Sequence, residues 1–208
     1  MSTIDDLKQQ VVEYHSAHSD LHLAHHYDFA IKHSDQINYF LFGINPGETE
    51  EDKALFPGVG HFNPYDPLKQ PPAKFSRSAR QYTKFATTVC GGPRFLISEF
   101  FFWSSPTEKE MIVRYGKSLG EHQMFCHQQN QALFDLFKPK AVIVVGLGLE
   151  EKAKEFLKDL RHVKTYQKKN RILVHYENER PWLFVRHPAS QLSNDARKDI
   201  AAYVRELG

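Results

Sequence analysis

Short runs of consecutive apolar residues, each ended by glycine or proline, are the clearest pattern in this chain. Residues 37–42, apolar except for Asn38, form one run that stops at Gly43, and Ala141–Val145 forms another that stops at Gly146. Apolar runs of this length predict strands that are buried on both faces of a sheet. Further strands are predicted at residues 94–103, 171–176 and 182–185.

Helical segments alternate with these strands. We predict helices at residues 4–18, 76–89, 107–137, 150–160 and 194–207, the third broken near Gly116 and Gly120 and the last capped by Asn194. Strands alternating with helices predict an α/β fold, a parallel sheet covered by helices on both faces. Length and the lack of a linker indicate a single domain over residues 1–208, with residues 1–35 as an N-terminal helical extension.

In parallel sheets, ligands bind at the carboxyl ends of the strands. The segments that follow the predicted strands are therefore the candidate sites, at residues 43–47, 104–106, 146–148 and 187–193. A long loop rich in glycine, proline and aromatic residues also lies at residues 56–75. Loops of this length are usually functional or disordered.

The pentapeptide Gly43-Ile44-Asn45-Pro46-Gly47 follows the first strand. Its glycines permit a close approach of the backbone to a ligand, and its proline stiffens the turn. The Asn45 amide can both donate and accept hydrogen bonds at the tip of the strand. A plain strand-to-loop turn is the alternative interpretation of the same residues.

A histidine follows the last predicted strand, in the stretch Arg186-His187-Pro188. An imidazole at the carboxyl end of a strand can donate a hydrogen bond to a developing anion. A purely structural histidine is the alternative.

Taken in order, these stretches resemble the two active-site motifs of the uracil-DNA glycosylase superfamily. Gly-Ile-Asn-Pro-Gly at 43–47 is similar to the first motif of the mismatch-specific uracil/thymine and the single-strand-selective members. His-Pro-Ala-Ser-Gln-Leu-Ser at 187–193 resembles the second motif, His-Pro-Ser-Pro-Leu-Ser. Phe62 lies where relatives place a phenylalanine that stacks on the base. The resemblance covers residue 39 to the C-terminus.

The resemblance implies a three-layer αβα fold whose central, mainly parallel sheet has about four strands. It implies hydrolysis of the N-glycosidic bond of uracil or another damaged or mismatched base in DNA, after the base has flipped out of the helix. Asn45 would position the attacking water and His187 would stabilise charge on O2 of the departing base. Phe62 would stack on that base, and Leu192 would fill the space it leaves. The remaining base-contacting residues would be Gly43, Ile44, Pro46, Gly47, Ser104 and Ser105.

Two departures from the family bear on the substrate. Many relatives have an asparagine at the end of the second strand that hydrogen-bonds the uracil edge, whereas this chain has Phe-Trp-Ser-Ser-Pro at residues 102–106. Ser104 or Ser105 could supply one hydrogen bond there, but not the paired donor and acceptor of an amide. Ala189 also replaces a serine of the second motif. The sequence therefore leaves the excised base open.

Composition adds few constraints. The chain has 208 residues, a formal net charge of +2 and two cysteines, Cys90 and Cys126. Two thiols cannot supply four thiolate ligands to an iron–sulfur cluster, and we expect them to be reduced in a cytoplasmic protein that, if bacterial, has access to the nucleoid. We expect a monomer that needs no cofactor and does not enter a membrane. The residues predicted to contact DNA are Lys74, Arg77, Arg80, Ser190 and Leu192.

Three alternatives remain open at this stage. The same fold could bind a nucleic acid or nucleobase without cleaving it. The turn at Gly146–Gly148 resembles half of a dinucleotide-binding fingerprint, although it lacks the third glycine. Histidines in the N-terminal segment recur at helical spacing, which suits metal ligands, but we interpret them as a polar helix surface. They are His15, His18, His22, His25 and His26.

Overall fold

The computed structural model describes residues 3–22, 24–25, 37–46, 61–62, 77–92, 94–157, 159–166, 172–177, 179–188 and 192–207. Its helices are α1 (Ile4–Ala17), α2 (Arg77–Cys90), α3 (Glu108–Tyr115), α4 (Leu119–Phe137), α5 (Glu150–Phe156) and α6 (Asn194–Glu206), with 3-10 turns at Gly116–Ser118 and Leu147–Leu149. Its strands are β1 (Ala24–His25), β2 (Tyr39–Gly43), β3 (His61–Phe62), β4 (Phe95–Glu99), β5 (Ala141–Val145), β6 (Arg161–Tyr166), β7 (Ile172–Glu177) and β8 (Arg180–Val185).

Six of the strands form one mixed sheet in the order β4-β2-β5-β8-β7-β6. The first four of these are mutually parallel, and β7 and β6 continue the sheet as antiparallel strands. The expected α/β class with a sheet flanked by helices is confirmed. The implied number of about four strands is wrong, because the sheet has two more. Strands β1 and β3 form a separate parallel pair.

Of the six strands in the main sheet, sequence analysis missed β6, which lies at the edge; it also missed the two-residue strands β1 and β3. The sequence of β6, Arg-His-Val-Lys-Thr-Tyr, contains no continuous apolar run. An edge strand is paired on one side only and need not be apolar on both faces, so its sequence signal is weak.

The second predicted strand is shorter than expected. We predicted a strand over residues 94–103, but β4 ends at Glu99, and residues 100–105 continue as irregular backbone. The misleading signal was the run Phe100-Phe101-Phe102-Trp103, whose side chains are all buried. This segment is apolar because helices cover it as they cover the sheet. Its sequence therefore could not be distinguished from that of a buried strand.

The helices largely match their predicted positions, with three corrections. Gly116 does interrupt the helical region, with φ of 46°, but Gly120 lies inside α4 without breaking it. The helix expected at 150–160 ends at Phe156. Ser193, not Asn194, caps α6, since its side chain accepts a hydrogen bond from the backbone N–H of Ala196.

Alternating side chains of the strands feed two separate apolar layers. In β5, Val142 and Val144 pack into the layer that contains α1, α3, α4 and α5, whereas Ala141, Ile143 and Val145 pack into the layer that contains α2 and α6. This is the period-two alternation of a strand that is covered on both faces. Both cysteines are free thiols, as predicted.

Helix α1 packs into the body of the fold through its buried residues Leu7 and Val11. Three polar contacts add to this packing. The indole Nε1 of Trp103 donates to Nδ1 of His15 over 3.0 Å. The Tyr14 hydroxyl lies 3.0 Å from Nδ1 of buried His122, and the His122 Nε2 lies 3.0 Å from the Asp20 carboxylate. The N-terminal helix is thus tied to α4 and to the segment that follows β4.

None of the helices in the described ranges is long and apolar enough to cross a membrane.

The contact between Asp20 and His122 leads to a prediction about acid stability. The hydrogen bond from His122 lowers the pKa of Asp20 below 3.8. The unfolded chain therefore takes up a proton at this carboxyl before the folded protein does, so the stabilisation is present above pH 3.8 and is lost as the pH falls through the lower folded pKa. Asp20→Asn should reduce the free energy of unfolding at pH 7 by at most about 1 kcal/mol, because the carboxylate is partly exposed and screened.

Urea unfolding at pH values from 7 to 3 measures this effect. The variant should lose less stability than the wild type over the acid part of the range. Asp135→Asn, which removes an exposed carboxylate from α4, is the matched control. Equal acid profiles for wild type and Asp20→Asn would contradict the prediction.

Candidate functional site

Three of the parallel strands deliver polar side chains to one edge of the sheet. Asn45 lies two residues beyond β2, Glu99 is the last residue of β4, and His187 lies two residues beyond β8. Strands β4 and β2 are neighbours, and β5 separates β2 from β8. The carboxyl ends of parallel strands form the usual ligand-binding edge of such a sheet, so the predicted residues Asn45 and His187 do lie on the same edge.

Hydrogen bonds hold the loop after β2 against the segment after β4. Phe100 N–H donates to the carbonyl of Gly43 over 3.0 Å, and Phe101 N–H donates to the carbonyl of Ile44 over 2.9 Å. Ser105 N–H donates to the carbonyl of Pro46 over 3.2 Å. Three backbone hydrogen bonds therefore tie the predicted active-site loop to the segment after β4 and fix the path of residues 43–46.

The side chain of Asn45 is fixed in the same way. Its amide Nδ2 lies 2.9 Å from the Ser105 hydroxyl oxygen, 3.2 Å from the Ser105 carbonyl and 2.8 Å from the Pro46 carbonyl. The two amide hydrogens are thus shared among three acceptors of the protein. This arrangement leaves the carbonyl oxygen Oδ1 as the amide atom that can accept a hydrogen bond from a water or a ligand.

The two serines predicted to contact the base are both buried. Ser104 is 0% and Ser105 is 1% exposed. The Ser105 hydroxyl donates to the carbonyl of Thr107 while it accepts from Asn45, so its hydrogen bonds hold Asn45 in place. The carbonyl of Ser104 accepts from Arg114 and from the Tyr115 hydroxyl. A contact of either serine with a base stays a prediction.

Glu99 is a site residue that sequence analysis missed. It pairs with Gly43 in the parallel register, and it is 1% exposed. A Cβ built on Gly43 would lie 3.1 Å from Cδ and 3.2 Å from Oε1 of Glu99, so the carboxylate lies directly over the Gly43 backbone. The predicted strand end at Trp103 concealed it. The register reveals it, because the register places Glu99 opposite Gly43.

The backbone of Glu99 is held from the opposite face of the sheet. Asn130, in α4, donates from Nδ2 to the carbonyl of Glu99 over 2.9 Å. The Asn130 Oδ1 accepts from the hydroxyl of Ser98 over 2.7 Å. Both of these polar residues are buried, so they fix the end of β4 without contact with solvent.

His187 lies next to Tyr82, a buried residue of α2 that sequence analysis also missed. The two ring centroids are 6.0 Å apart and the rings are tilted by 58°. The imidazole has some exposed surface, yet the surrounding protein partly desolvates it, which lowers the pKa of His187 below 6.5. The ring is therefore neutral near pH 7, with one nitrogen as donor and the other as acceptor.

The remaining predicted site residues are less informative. Leu192 is 8% exposed and packs in the apolar layer with α2 and α6, so a role in DNA would require it to leave that layer. Phe62 lies in β3, and Arg77 and Arg80 lie in α2, but their side chains are outside the described part of the structure. Gly47, Lys74, Ala189 and Ser190 also lie outside the described residues.

The glycine turn after β5 has no fingerprint geometry for a dinucleotide. Gly146 has φ of 155°, and a Cβ there would lie 3.0 Å from the side chain of Leu149. The first turn of α5 carries Glu150 and Glu151, whose negative charge opposes a phosphate. Glu150 also lies 3.0 Å from Lys154 within the helix. A tight strand-to-helix turn describes this segment.

The N-terminal histidines have separate environments. His15 accepts from Trp103, His18 stacks on Tyr14 with ring centroids 4.0 Å apart, and His22 meets the Tyr115 ring edge-on. Within the described ranges, no group of three or more histidine, cysteine or acidic side chains is placed to hold a metal ion. The side chains of His25 and His26 are not among those described.

A small apolar cavity lies on the other face of the sheet from Glu99. Phe42, Phe100, Phe134 and Trp182 line it, together with Asn130. It has room for little more than a water molecule. The carboxyl ends of the strands carry the polar side chains of Asn45 and His187. This edge of the sheet is therefore a better candidate site than the apolar cavity.

Comparison with known proteins adds no family. The chain matches no protein-family model, and no curated protein has a significantly similar sequence.

The hydrogen bond between the Asn45 amide and the Ser105 hydroxyl leads to a prediction about the coupling of these two side chains. Ser105→Ala removes the hydroxyl that accepts from the Asn45 amide, and should lower the free energy of unfolding by about 1 kcal/mol. A double-mutant cycle of Ser105→Ala with Asn45→Ala should give a coupling energy of about 0.5–1.5 kcal/mol. Ser16→Ala, on helix α1, is the control and should add independently to Asn45→Ala. Zero coupling between residues 45 and 105 would contradict the contact.

The packing of Gly43 against Glu99 leads to a second prediction. Gly43→Ala places a methyl group against the buried carboxylate and should cost about 1–3 kcal/mol of stability. The same substitution should cost much less in a Glu99→Ala background, because the clash is then absent.

Thermal unfolding of the wild type, the two single variants and the double variant tests this. Gly148→Ala is a suitable control, since nothing lies within 4 Å of a Cβ there and little change is expected. If Gly43→Ala costs the same in both backgrounds, the carboxylate is not what excludes a side chain at residue 43.

Proposed function

We propose that this protein is a DNA glycosylase of the uracil-DNA glycosylase type, which hydrolyses the N-glycosidic bond of a base flipped out of DNA. The observation that carries the proposal is the position of Asn45 and His187 at the same edge of the sheet, with the Asn45 amide fixed by Ser105. The order of the two motifs in the sequence supports it independently.

In the proposed reaction, water attacks C1′ of the deoxyribose and the C–N bond to the base breaks. The bonding electron pair leaves with the base; the water releases one proton to solvent as it bonds to C1′, and the base anion takes up one proton from solvent, so the step balances. Asn45 does not accept the proton of the water, because an amide is not basic near neutral pH. Its Oδ1 accepts a hydrogen bond from the water and holds it in line with C1′, a contribution through positioning.

His187 contributes through the charge of the departing base. Partial desolvation lowers the pKa of His187, so the imidazole is neutral at pH 7. One ring nitrogen then carries a hydrogen that it donates to an oxygen of the base as negative charge develops there. A preoriented donor of this kind stabilises the transition state more than the ground state.

The second candidate function is a nucleobase-binding protein that does not cleave DNA. The buried carboxylate of Glu99 beside the candidate site favours this candidate. An amide in that place would match the donor and acceptor on the edge of uracil, whereas an ionised carboxylate would not. The fixed side chain of Asn45 argues against this candidate. Binding alone does not need an amide that three acceptors hold where the proposed reaction would place its water.

The two candidates differ in one measurement. Oligonucleotides labelled at one end and carrying a single uracil, mismatched base, hypoxanthine or alkylated base are incubated with the protein and then with alkali, which cleaves abasic sites. We expect cleavage of at least one substrate. Asn45→Ala and His187→Ala should each lower the rate about 100- to 1000-fold.

His162→Ala is the matched control, because this exposed histidine lies in β6, away from the Asn45 edge. Its rate should equal that of the wild type. DNA binding without cleavage of any substrate would support the second candidate instead.

A further inference from the structure

We propose that the segment after α1 is a positioning element of the candidate site, because Ala24 and His25 hold the backbone of His61 and Phe62. The segment joins the loop that carries the predicted base-stacking residue to the part of the protein that supports Asn45. This inference rests on the proposed function for the role of Phe62. It adds the element that fixes the Phe62 loop, and that element lies outside the family resemblance.

The pairing of β1 with β3 brings together two parts of the chain that are distant in the sequence. The two strands are parallel, with Ala24 opposite His61 and His25 opposite Phe62. They form a two-stranded sheet apart from the main one. Backbone hydrogen bonds between the two strands therefore tie the segment after α1 to the backbone on either side of Phe62.

The connection that carries β3 begins and ends at the same edge of the main sheet as Asn45. In the chain, β3 lies between β2 and α2. Helix α2 leads into β4, which is parallel to β2, so α2 begins near the carboxyl ends of the strands and ends near their amino ends. The contact of Tyr82 in α2 with the ring of His187 agrees with this direction.

On its other side, β1 continues from residues that pack into the body of the fold. Leu21 is 4% exposed and packs in the apolar layer that contains α1, α3 and α4. The ring of His22 meets the ring of Tyr115, the last residue of α3, edge-on with centroids 6.2 Å apart. Strand β1 thus begins two residues after a contact with α3.

Tyr115 connects this contact to the support of Asn45. Its hydroxyl donates to the carbonyl of Ser104 over 2.9 Å. The next residue, Ser105, accepts a hydrogen bond from the Asn45 amide. The segment after α1 therefore meets the support of Asn45 at His22 and the backbone of the Phe62 loop at β1.

A loop that is held before binding gives the full benefit of a stacking contact. Stacking of a base on an aromatic side chain raises affinity about 5- to 150-fold. A loop that must be ordered when the ligand binds offsets part of this gain through lost conformational entropy. The pairing of β1 with β3 should therefore affect ligand binding through Phe62.

A disulfide measures the pairing directly. Neighbouring strands lie about 4.8 Å apart, within the Cα separation of about 4.4–6.8 Å that a disulfide spans. The pair Ala24→Cys with His61→Cys, made in a Cys90→Ser background, should therefore form a disulfide under mild oxidation, which mass spectrometry detects. The pair His25→Cys with His61→Cys is one residue out of register and should stay reduced, because successive side chains of a strand project to opposite faces.

Removal of the pairing measures its role in binding. Ala24→Pro/His25→Pro removes both backbone N–H groups of β1. Binding is measured by fluorescence anisotropy with a labelled oligonucleotide that carries one uracil, in an Asn45→Ala background that prevents cleavage. Every base has a face that can stack on an aromatic ring, so this probe serves whichever base is excised. The proline variant should bind about 5-fold or more weakly. Ala24→Ser/His25→Ser keeps both N–H groups and is the control, which should bind as the parent does.

Coupling to Phe62 separates positioning from general support of the fold. The proline substitutions should weaken binding of a Phe62→Ala protein by less than about twofold, because the stacking contact on which they act is already absent. A merely structural effect would be the same with and without Phe62. The oxidised Ala24→Cys/His61→Cys protein should keep the affinity of the parent, because its disulfide holds the two strands in register.

The outcomes separate this inference from the proposed function. Formation of the in-register disulfide, with a loss of binding that depends on Phe62, supports the inference whether or not any base is excised from DNA. An in-register pair that stays reduced, equal binding by the proline and serine variants, or a proline effect that persists without Phe62 would overturn it. So would a parent that binds no oligonucleotide at about 0.1 mM, the weak end of non-specific binding. Excision of a base by the wild type, with no effect of the proline substitutions, would uphold the glycosylase and overturn the role of β1.

Discussion

The parallel pairing of β2 with β4 is the constraint on which the candidate site depends. The register places Gly43 opposite Glu99, and backbone hydrogen bonds continue past both strand ends as far as the one between Ser105 N–H and the Pro46 carbonyl. A loop held only at its two ends would sample many conformations, at a cost of order 1–2 kcal/mol for each residue that a ligand had to fix. Here these backbone hydrogen bonds fix the loop in advance, and Asn45 with it.

Much of the fold follows from the sequence, and the exceptions have physical causes. The five consecutive apolar residues of β5 identified that strand, because it is buried on both faces as such a run implies. The apolar segment after β4 was mistaken for strand because it is equally buried. The edge strand β6 was missed because a strand that pairs with only one neighbour need not have an apolar sequence.

The residues of the candidate site also fall into those that the sequence indicated and those that it did not. Asn45 and His187 could be found from short motifs, since each follows a strand directly. Glu99 and Tyr82 could not, because their importance comes from what lies opposite them in space. Glu99 becomes visible only when β4 is aligned with β2, and Tyr82 only when α2 is packed on the sheet. The sequence around Glu99 or Tyr82 indicates neither the register of the strands nor the packing of the helix.

Support for the site extends to the N-terminal helix, which sequence analysis set apart as an extension. His15 of α1 accepts a hydrogen bond from Trp103, and Trp103 lies in the segment that holds the Asn45 loop. Ser105, two residues further along that segment, accepts from the Asn45 amide itself. A short series of buried contacts therefore runs from α1 through Trp103 to the segment whose Ser105 hydroxyl accepts from Asn45. The helix that lies outside the family resemblance thus packs directly against the segment that fixes the Asn45 side chain, because close packing in the interior leaves no gap between them.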